Sequence, residues 1–291
     1  MPTISQSIAE GAARLRTSGI DHERRTAGLL LCHLLGINRT HLLTRSDEQI
    51  DEAHYREYLL LIERRAAGEP VQYLTGHQEF YGLDFLVTPD VLIPRPETEF
   101  LIEQVIRLLR GQKQDSPLIV DIGTGSGCIA VTLARELPGS RVIATDASAA
   151  ALDIARKNAA RLEAINRIQF LEGDLMSPLA QGGFEGAVDI LASNPPYVNQ
   201  DGREGLQREV RDWEPHTALF GGIDGLDFYR RLLDEGTKYV KKGGYLVVEI
   251  GYGQLDPITN MTKGSRWELV EVSTDLQDIP RVLTFRLSDK L

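Results

Sequence analysis

Residues 118–127, LIVDIGTGSG, constrain the fold more than any other stretch. They form a short unbroken apolar run ending in Asp121, followed by glycines at 123, 125 and 127 and then a helical pattern. A run that is apolar at successive positions suits a strand buried on both faces, which is how parallel sheets are built. Further runs of this kind lie at residues 141–145, 167–171, 188–192 and 245–250, and helical stretches are expected at 128–136, 149–162 and 225–240. Alternation of strand and helix predicts an α/β fold, a doubly wound, mostly parallel sheet covered on both sides. Late strands near 266–272 and 282–287 are expected to close one edge, with an antiparallel edge strand.

The first part of the chain reads differently. Ile8, Ala12 and Leu15, then Leu29, Leu30, His33 and Leu34, then Tyr55, Tyr58, Leu59 and Ile62 recur at helical spacing, and Gly19, Gly36 and Gly68 fall where the patterns stop. A small N-terminal helical-bundle domain over residues 1–75 is expected. It is followed by a β-hairpin linker over 76–95, where EFY and DFLV flank Gly82-Leu83, and by a catalytic domain over 96–291. Pro96, Glu97 and Glu99 suit the start of a helix running to about residue 110.

Composition removes several function classes. Residues that are 42% hydrophobic and 25% charged are ordinary globular usage, and the longest apolar stretch, 28–37, is broken by His33, well short of the ~20 residues a bilayer span needs. No signal-like start is visible, so a cytoplasmic protein without membrane contact is expected. Cys32 and Cys128 lie far apart without a CxxC pair, and the six histidines show no ligand spacing, so no metal site is expected. A net charge of −10 disfavours a broad nucleic-acid footprint. Residues 1–75 nevertheless carry nine Arg and no Lys against ten acids, a pattern that suits either a partner-docking surface or a solvated helical face.

The chemistry gathers after the strands. The turn Asp121-Ile122-Gly123-Thr124-Gly125-Ser126-Gly127 lets the backbone approach a ligand, and amides at a helix start favour polar groups. Its G-x-G-x-G spacing, with Cys128 next, does not meet the dinucleotide fingerprint. Asp146, closing the next strand, is placed to accept from ribose hydroxyls, and Asp174, after the third, from an exocyclic amino group of adenine. In order, these elements resemble class I S-adenosylmethionine-dependent methyltransferases. That resemblance implies a Rossmann-like methyltransferase sheet, with the glycine loop on the amino-acid end of the cofactor, Asp146 on its ribose, and Asp174 with Leu175 on its adenine.

After the fourth strand comes Asn194-Pro195-Pro196-Tyr197. Consecutive prolines cannot continue a ladder, so the turn is stiff and its carbonyls are free. A planar amide or aryl-amine nitrogen is a poor nucleophile because its lone pair is conjugated. Two acceptors, the Asn194 side-chain oxygen and the Pro195 carbonyl, could take its N–H bonds and aim it, and Tyr197 could pack on a planar target. This marks the target as a planar NH2 group, of adenine, cytosine or glutamine, and does not choose among them.

Six stretches in order, 92–99 (LIPRPETE), 120–127 (VDIGTGSG), 194–198 (NPPYV), 214–219 (EPHTAL), 243–251 (GGYLVVEIG) and 275–282, resemble the release factor glutamine methyltransferase family, also called HemK or PrmC. The relative that methylates a ribosomal protein shares NPPY, but LIPRPETE fits the release-factor branch better. The resemblance implies S-adenosylmethionine as cofactor and S-adenosylhomocysteine as product. It also implies as partner and substrate a class I peptide chain release factor, methylated on the glutamine of its Gly-Gly-Gln motif and docked with help from the helical domain. No stable nucleic-acid partner is expected. Ribosomal-protein glutamine or nucleic-acid adenine methylation is the alternative. Arg95 and Glu97 are expected near the cleft mouth, or as a loop-ordering pair, and Glu249 as a shaper of the target pocket or a strand-end carboxylate serving a turn.

Overall fold

A computed structural model of the protein describes residues 1–110 and 116–289. The described chain divides into two compact units, one of Met1–His77 with Leu206–Trp213, the other of Gln78–Gly205 with Glu214–Leu291.

The N-terminal stretch of the first unit holds five helices, α1 (Ile4–Thr17), α2 (Glu23–Leu35), α3 (Arg39–Thr44), α4 (Glu52–Ala66) and α5 (Val71–Thr75). Three of the starts are capped by side chains: Thr3 and Gln6 form a reciprocal capping box on α1, and Asn38 and Asp51 accept from the first-turn amides of α3 and α4. Ile8, Ala12, Leu15, Tyr58 and Ile62 are buried in one core with Leu30 and Leu31. The α2 stripe is rotated from the expected one. Leu29 is 42% exposed and His33 faces outward, while Ala27, Leu30 and Leu31 are fully buried. In a helix where six of the seven residues from 29 to 35 are apolar, spacing alone admits more than one face, and packing against α1 and α4 chooses.

The second unit opens with the strands β1 (His77–Phe80) and β2 (Leu83–Leu86), whose turn places both Tyr81 and Gly82 at positive φ, 53° and 71°. That pair of left-handed residues matches the twist of a tight hairpin. Phe80 and Phe85 join one core of the large sheet, and Asn158 holds the hairpin by accepting from Leu86 N and donating to Leu86 O. A short turn at Pro96–Thr98 leads into α6 (Glu99–Arg110). Then follow β3 (Leu118–Ile122), α7 (Cys128–Glu136), β4 (Arg141–Asp146), α8 (Ala149–Arg161), β5 (Ile168–Glu172) and β6 (Val188–Ser193). After them come α9 (Arg208–Trp213), which belongs to the first unit, and then α10 (Asp227–Tyr239), β7 (Val240–Glu249), α11 (Leu255–Met261), β8 (Trp267–Thr274) and β9 (Pro280–Leu287). The short helices α3, α5, α9 and α11 carry too few turns to announce themselves by periodicity.

The large sheet runs β5-β4-β3-β6-β7-β9-β8, parallel from β5 to β7, with β9 antiparallel to both β7 and β8. Alternate residues of each central strand serve opposite faces: Ile119, Val142 and Ile190 one core, and Val120, Ile143 and Leu191 the other. The chain winds from β3 outward through β4 to β5, then returns to β6 on the other side of β3. That reversal opens a crevice at the carboxyl ends of β3 and β6, where such sheets take their ligands.

Candidate active site

Pairing Ile122 with Ser193 brings the residues that follow, Gly123 and Asn194, side by side at this reversal. A cavity of about 500 Å³ lies there, within the range that holds a small cofactor, and Gly123, Gly125, Asp146, Asp174, Leu175 and Asn194 all line it, with Pro195 and Pro196. Of the other residues singled out from the sequence, Asp121, Thr124, Ser126 and Gly127 are buried and support the wall without lining it, as does Tyr197, which is half-buried.

The glycine turn is held from within. Gly123 N and Thr124 N both donate to Thr145 O, Gly125 N donates to Asp146 Oδ2, and Gly127 N donates to Thr124 O. These four amides are therefore not the free donors that a glycine-rich helix start suggests; the turn offers close approach of backbone and a carboxylate. Gly123, Gly125 and Gly127 have φ of 71°, 54° and 82°, and a Cβ on Gly127 would lie 3.1 Å from Ala155 Cβ, so the turn packs directly on α8. Asp121 anchors it by accepting from Thr124 Oγ1 at 2.6 Å and Ala130 N at 3.2 Å, and burial pushes its carboxyl up to about 7 against those two bonds. Asn158 ties the turn to the hairpin through a bond to Ser126 O.

Asp146 accepts from Gly125 N and Ser148 N at 2.9 Å each, which fixes both oxygens while leaving further lone pairs toward the cavity. Burial raises its pKa. Asp174 differs: its side chain is 62% exposed and paired with Arg231 at 2.9 Å. Leu175 is buried and holds φ at 48°, a left-handed backbone unusual for leucine. These residues fit an adenosyl group: an anchored carboxylate for a diol and an apolar shelf at Leu175 in a cavity of suitable size.

The Asn-Pro-Pro-Tyr turn is held by segments far from it in the chain. Val198 N donates to Leu219 O, and Gly221 N to Val198 O. Gln254 donates to Tyr197 O at 3.1 Å and Gly225 O at 3.2 Å, and accepts from Gly251 N. Gly225 has φ of 77°, and a Cβ there would stand 2.4 Å from Tyr197 O. Burial raises the pKa of the Tyr197 phenol. Arg95 and Glu97 part company: Arg95 pairs with buried Glu214 at 2.5 Å, joining the LIPRPETE and EPHTAL stretches, while Glu97 acts through its charge on Glu249. Glu249 is 2% exposed, accepts from Thr98 Oγ1, and is pushed by burial to about 7. Thr98, Gln254, Gly225 and Arg231 carried no signal by residue type in the sequence, although Thr98 lies within a stretch singled out for other reasons. Cys32 and Cys128 are half-buried free thiols, and among the described residues no group of His, Cys, Asp and Glu could hold a metal ion.

Two family models match: the PrmC N-terminal domain over residues 6–76 and the methyltransferase small domain over 97–209. A release factor glutamine methyltransferase of Koribacter versatilis is 43% identical over 98% of both chains, and one of Burkholderia pseudomallei 42% over 99% of both. Among solved structures, a methyltransferase from Pyrococcus furiosus aligns at TM-score 0.51 and 18% identity, over 80% of this chain and 98% of that one. The N-terminal domain of human METTL16 in complex with SAH aligns at TM-score 0.52 and 18% identity, over 88% and 91%. These two likenesses bear on the fold alone and agree with the Rossmann-like methyltransferase sheet. Full-length similarity at this identity, a matching helical domain and the Asn-Pro-Pro-Tyr turn beside a cofactor-sized cavity place the chain in the release factor glutamine methyltransferase family.

Proposed function

We propose that the protein methylates the side-chain amide nitrogen of the glutamine in the Gly-Gly-Gln motif of a class I peptide chain release factor, in the cytoplasm, where translation ends. The observation that carries this reading is the pair of neutral acceptors, Asn194 Oδ1 and Pro195 O, next to the cavity: among the described residues no N–H or O–H donates to either. Bound S-adenosylmethionine supplies an electrophilic sulfonium methyl and leaves as S-adenosylhomocysteine. The protein's part is orientation. Each acceptor takes one of the two amide N–H bonds, which turns the nitrogen toward the cavity, and fixing such an approach is worth up to ~7–11 kcal/mol. The nitrogen forms its new bond to carbon and sheds one proton to water, because the acceptors are neutral. Asp146 holds the cofactor ribose, Leu175 and Asp174 border its adenine, and the Gly123–Gly125 backbone its amino-acid end.

The N-terminal unit supports a protein substrate. A groove lined by Ile8, Leu29, Leu42 and Leu43 is rimmed by Arg24, Arg25 and Arg39. All three arginines are exposed and lack an ion pair among the described residues. An amphipathic segment of the release factor with acidic flanks fits this surface. Wild-type enzyme is offered whole release factor, its isolated Gly-Gly-Gln peptide, ribosomal protein and duplex DNA, with mass spectrometry reading each product. One methyl on the glutamine of release factor is the expected result, and methyl on DNA or on ribosomal protein alone overturns the reading. Reversing Arg24, Arg25 and Arg39 to Glu is expected to raise KM for the whole factor and leave the peptide unaffected.

A further inference from the structure

Thr98 closes the short turn before α6, and its side chain is buried between the end of β7 and the catalytic turn. Its hydroxyl donates to Glu249 Oε2 at 2.6 Å, and its oxygen accepts from Asn194 Nδ2 at 3.0 Å. A hydroxyl has one proton, and an ionised carboxylate can only accept. With its proton committed to Glu249, Thr98 can face Asn194 only as an acceptor, so the NH2 end of that carboxamide must turn inward. The oxygen end, which has no donor among the described residues, is left for the cavity that Asn194 lines.

We propose that Thr98 and Glu249 are positioning residues that fix the direction of the Asn194 carboxamide, oxygen toward the target, and that protonation of Glu249 reverses that direction. As an acid, Glu249 donates to Thr98 Oγ1, Thr98 turns its own proton to Asn194 Oδ1, and the carboxamide rotates to present NH2 to a target that also presents NH2. Donor then faces donor. No covalent bond other than the carboxyl O–H is made or broken. This inference rests on reading Asn194 as the acceptor of a substrate N–H.

The surroundings set where the reversal falls. The Glu249 pKa is raised to about 7: burial raises it most and Glu97, on the same turn as Thr98, adds to that, while Thr98, Arg281 on β9 and Asn194 lower it. The phenols of Tyr197 and Tyr229 and the thiol of Cys128 face the same carboxylate, and burial holds all three protonated. Tyr229 also donates to the Glu249 backbone oxygen at 2.8 Å, so the strand end stays in place whatever the side chain does.

The test is kcat against pH on whole release factor at saturating cofactor, with cofactor affinity measured by calorimetry. In the wild type kcat rises as pH climbs through about 7. Thr98→Val is expected to lower kcat about 100-fold with cofactor affinity unaltered, since a misaimed group costs about that much. Thr98→Ser restores it, and Glu249→Gln flattens the pH profile. Thr98→Val with wild-type kcat, or Glu249→Gln with the wild-type rise, overturns the proposal. A second readout needs no substrate: the Asn194 side-chain amide signal of 15N-labelled protein, assigned by its loss in Asn194→Ala, shifts across the same pH range in the wild type and not in Glu249→Gln. A signal that moves in this way in an enzyme that methylates no release factor sinks the glutamine reading and leaves the relay standing. A signal indifferent to pH sinks the relay even where methylation proceeds.

Discussion

The two halves of the proposed site, a cofactor side and a target side, are built on opposite plans. The cofactor side is local: Asp121, Thr124 and Gly125 sit within one strand-to-helix turn, and the neighbouring strand contributes Thr145 and Asp146 from its last two residues. The target side is assembled from afar. Its four-residue turn depends on Thr98, Leu219, Gly225, Glu249 and Gln254, drawn from segments spread over more than half the chain. A local turn can be rigid on its own backbone, whereas a turn clamped by distant segments is only as ordered as the fold around it. The cofactor side should therefore tolerate damage to the target side, and catalysis should register damage to either.

Asn194→Ala gives the sharpest break between them. Loss of one oriented hydrogen-bonding partner at the reacting centre is expected to lower kcat about 10²–10³-fold, while calorimetry finds cofactor affinity unchanged. A matched loss of cofactor affinity would mean that the two halves are one unit. Paired glycine substitutions come next. Gly225→Ala forces a Cβ to within 2.4 Å of Tyr197 O at a φ of 77°, and is expected to lower stability by about 1–3 kcal/mol and kcat with it, leaving the cofactor bound. Gly127→Ala, at φ 82° and against Ala155, costs about 1–2 kcal/mol and weakens the cofactor instead. Thermal denaturation alongside cofactor titration separates these outcomes; equal effects on both readouts would erase the contrast.

The same contrast explains what could be read from the amino acids alone. The strands, the glycine turn, Asp146 and the Asn-Pro-Pro-Tyr turn follow from short-range patterns, and the structure brings Gly123, Asp146 and Asn194 to one cavity. Thr98, Gln254 and Gly225 are illegible because the bonds that tie them to the site, Thr98 to Asn194, Gln254 to Tyr197 and Gln254 to Gly225, span 96, 57 and 29 residues. The occupied amides of the glycine turn were hidden for a different reason: Thr145 O reaches them from an adjacent strand, a pairing set by the sheet. On α2, crowded apolar residues left the buried face undecided until α1 and α4 packed against it.

The two carboxylates at the cofactor side offer the finest test of how local it is. Asp146 is fixed by two backbone amides, so its charge is aimed before any ligand arrives. Hydrogen bonds to a charged group contribute about 1.5–3 kcal/mol, so Asp146→Asn is expected to weaken cofactor binding about tenfold or more, with kcat at saturation preserved. Asp174 is exposed and turned to Arg231, and an exposed ion pair is worth about 0–1 kcal/mol. Asp174→Asn should therefore change cofactor affinity less than about fivefold, the scale of such a pair. A larger loss at Asp174 than at Asp146 would mean that Arg231 releases the carboxylate when cofactor binds, and that this corner of the site, like the target side, is completed from a distant helix.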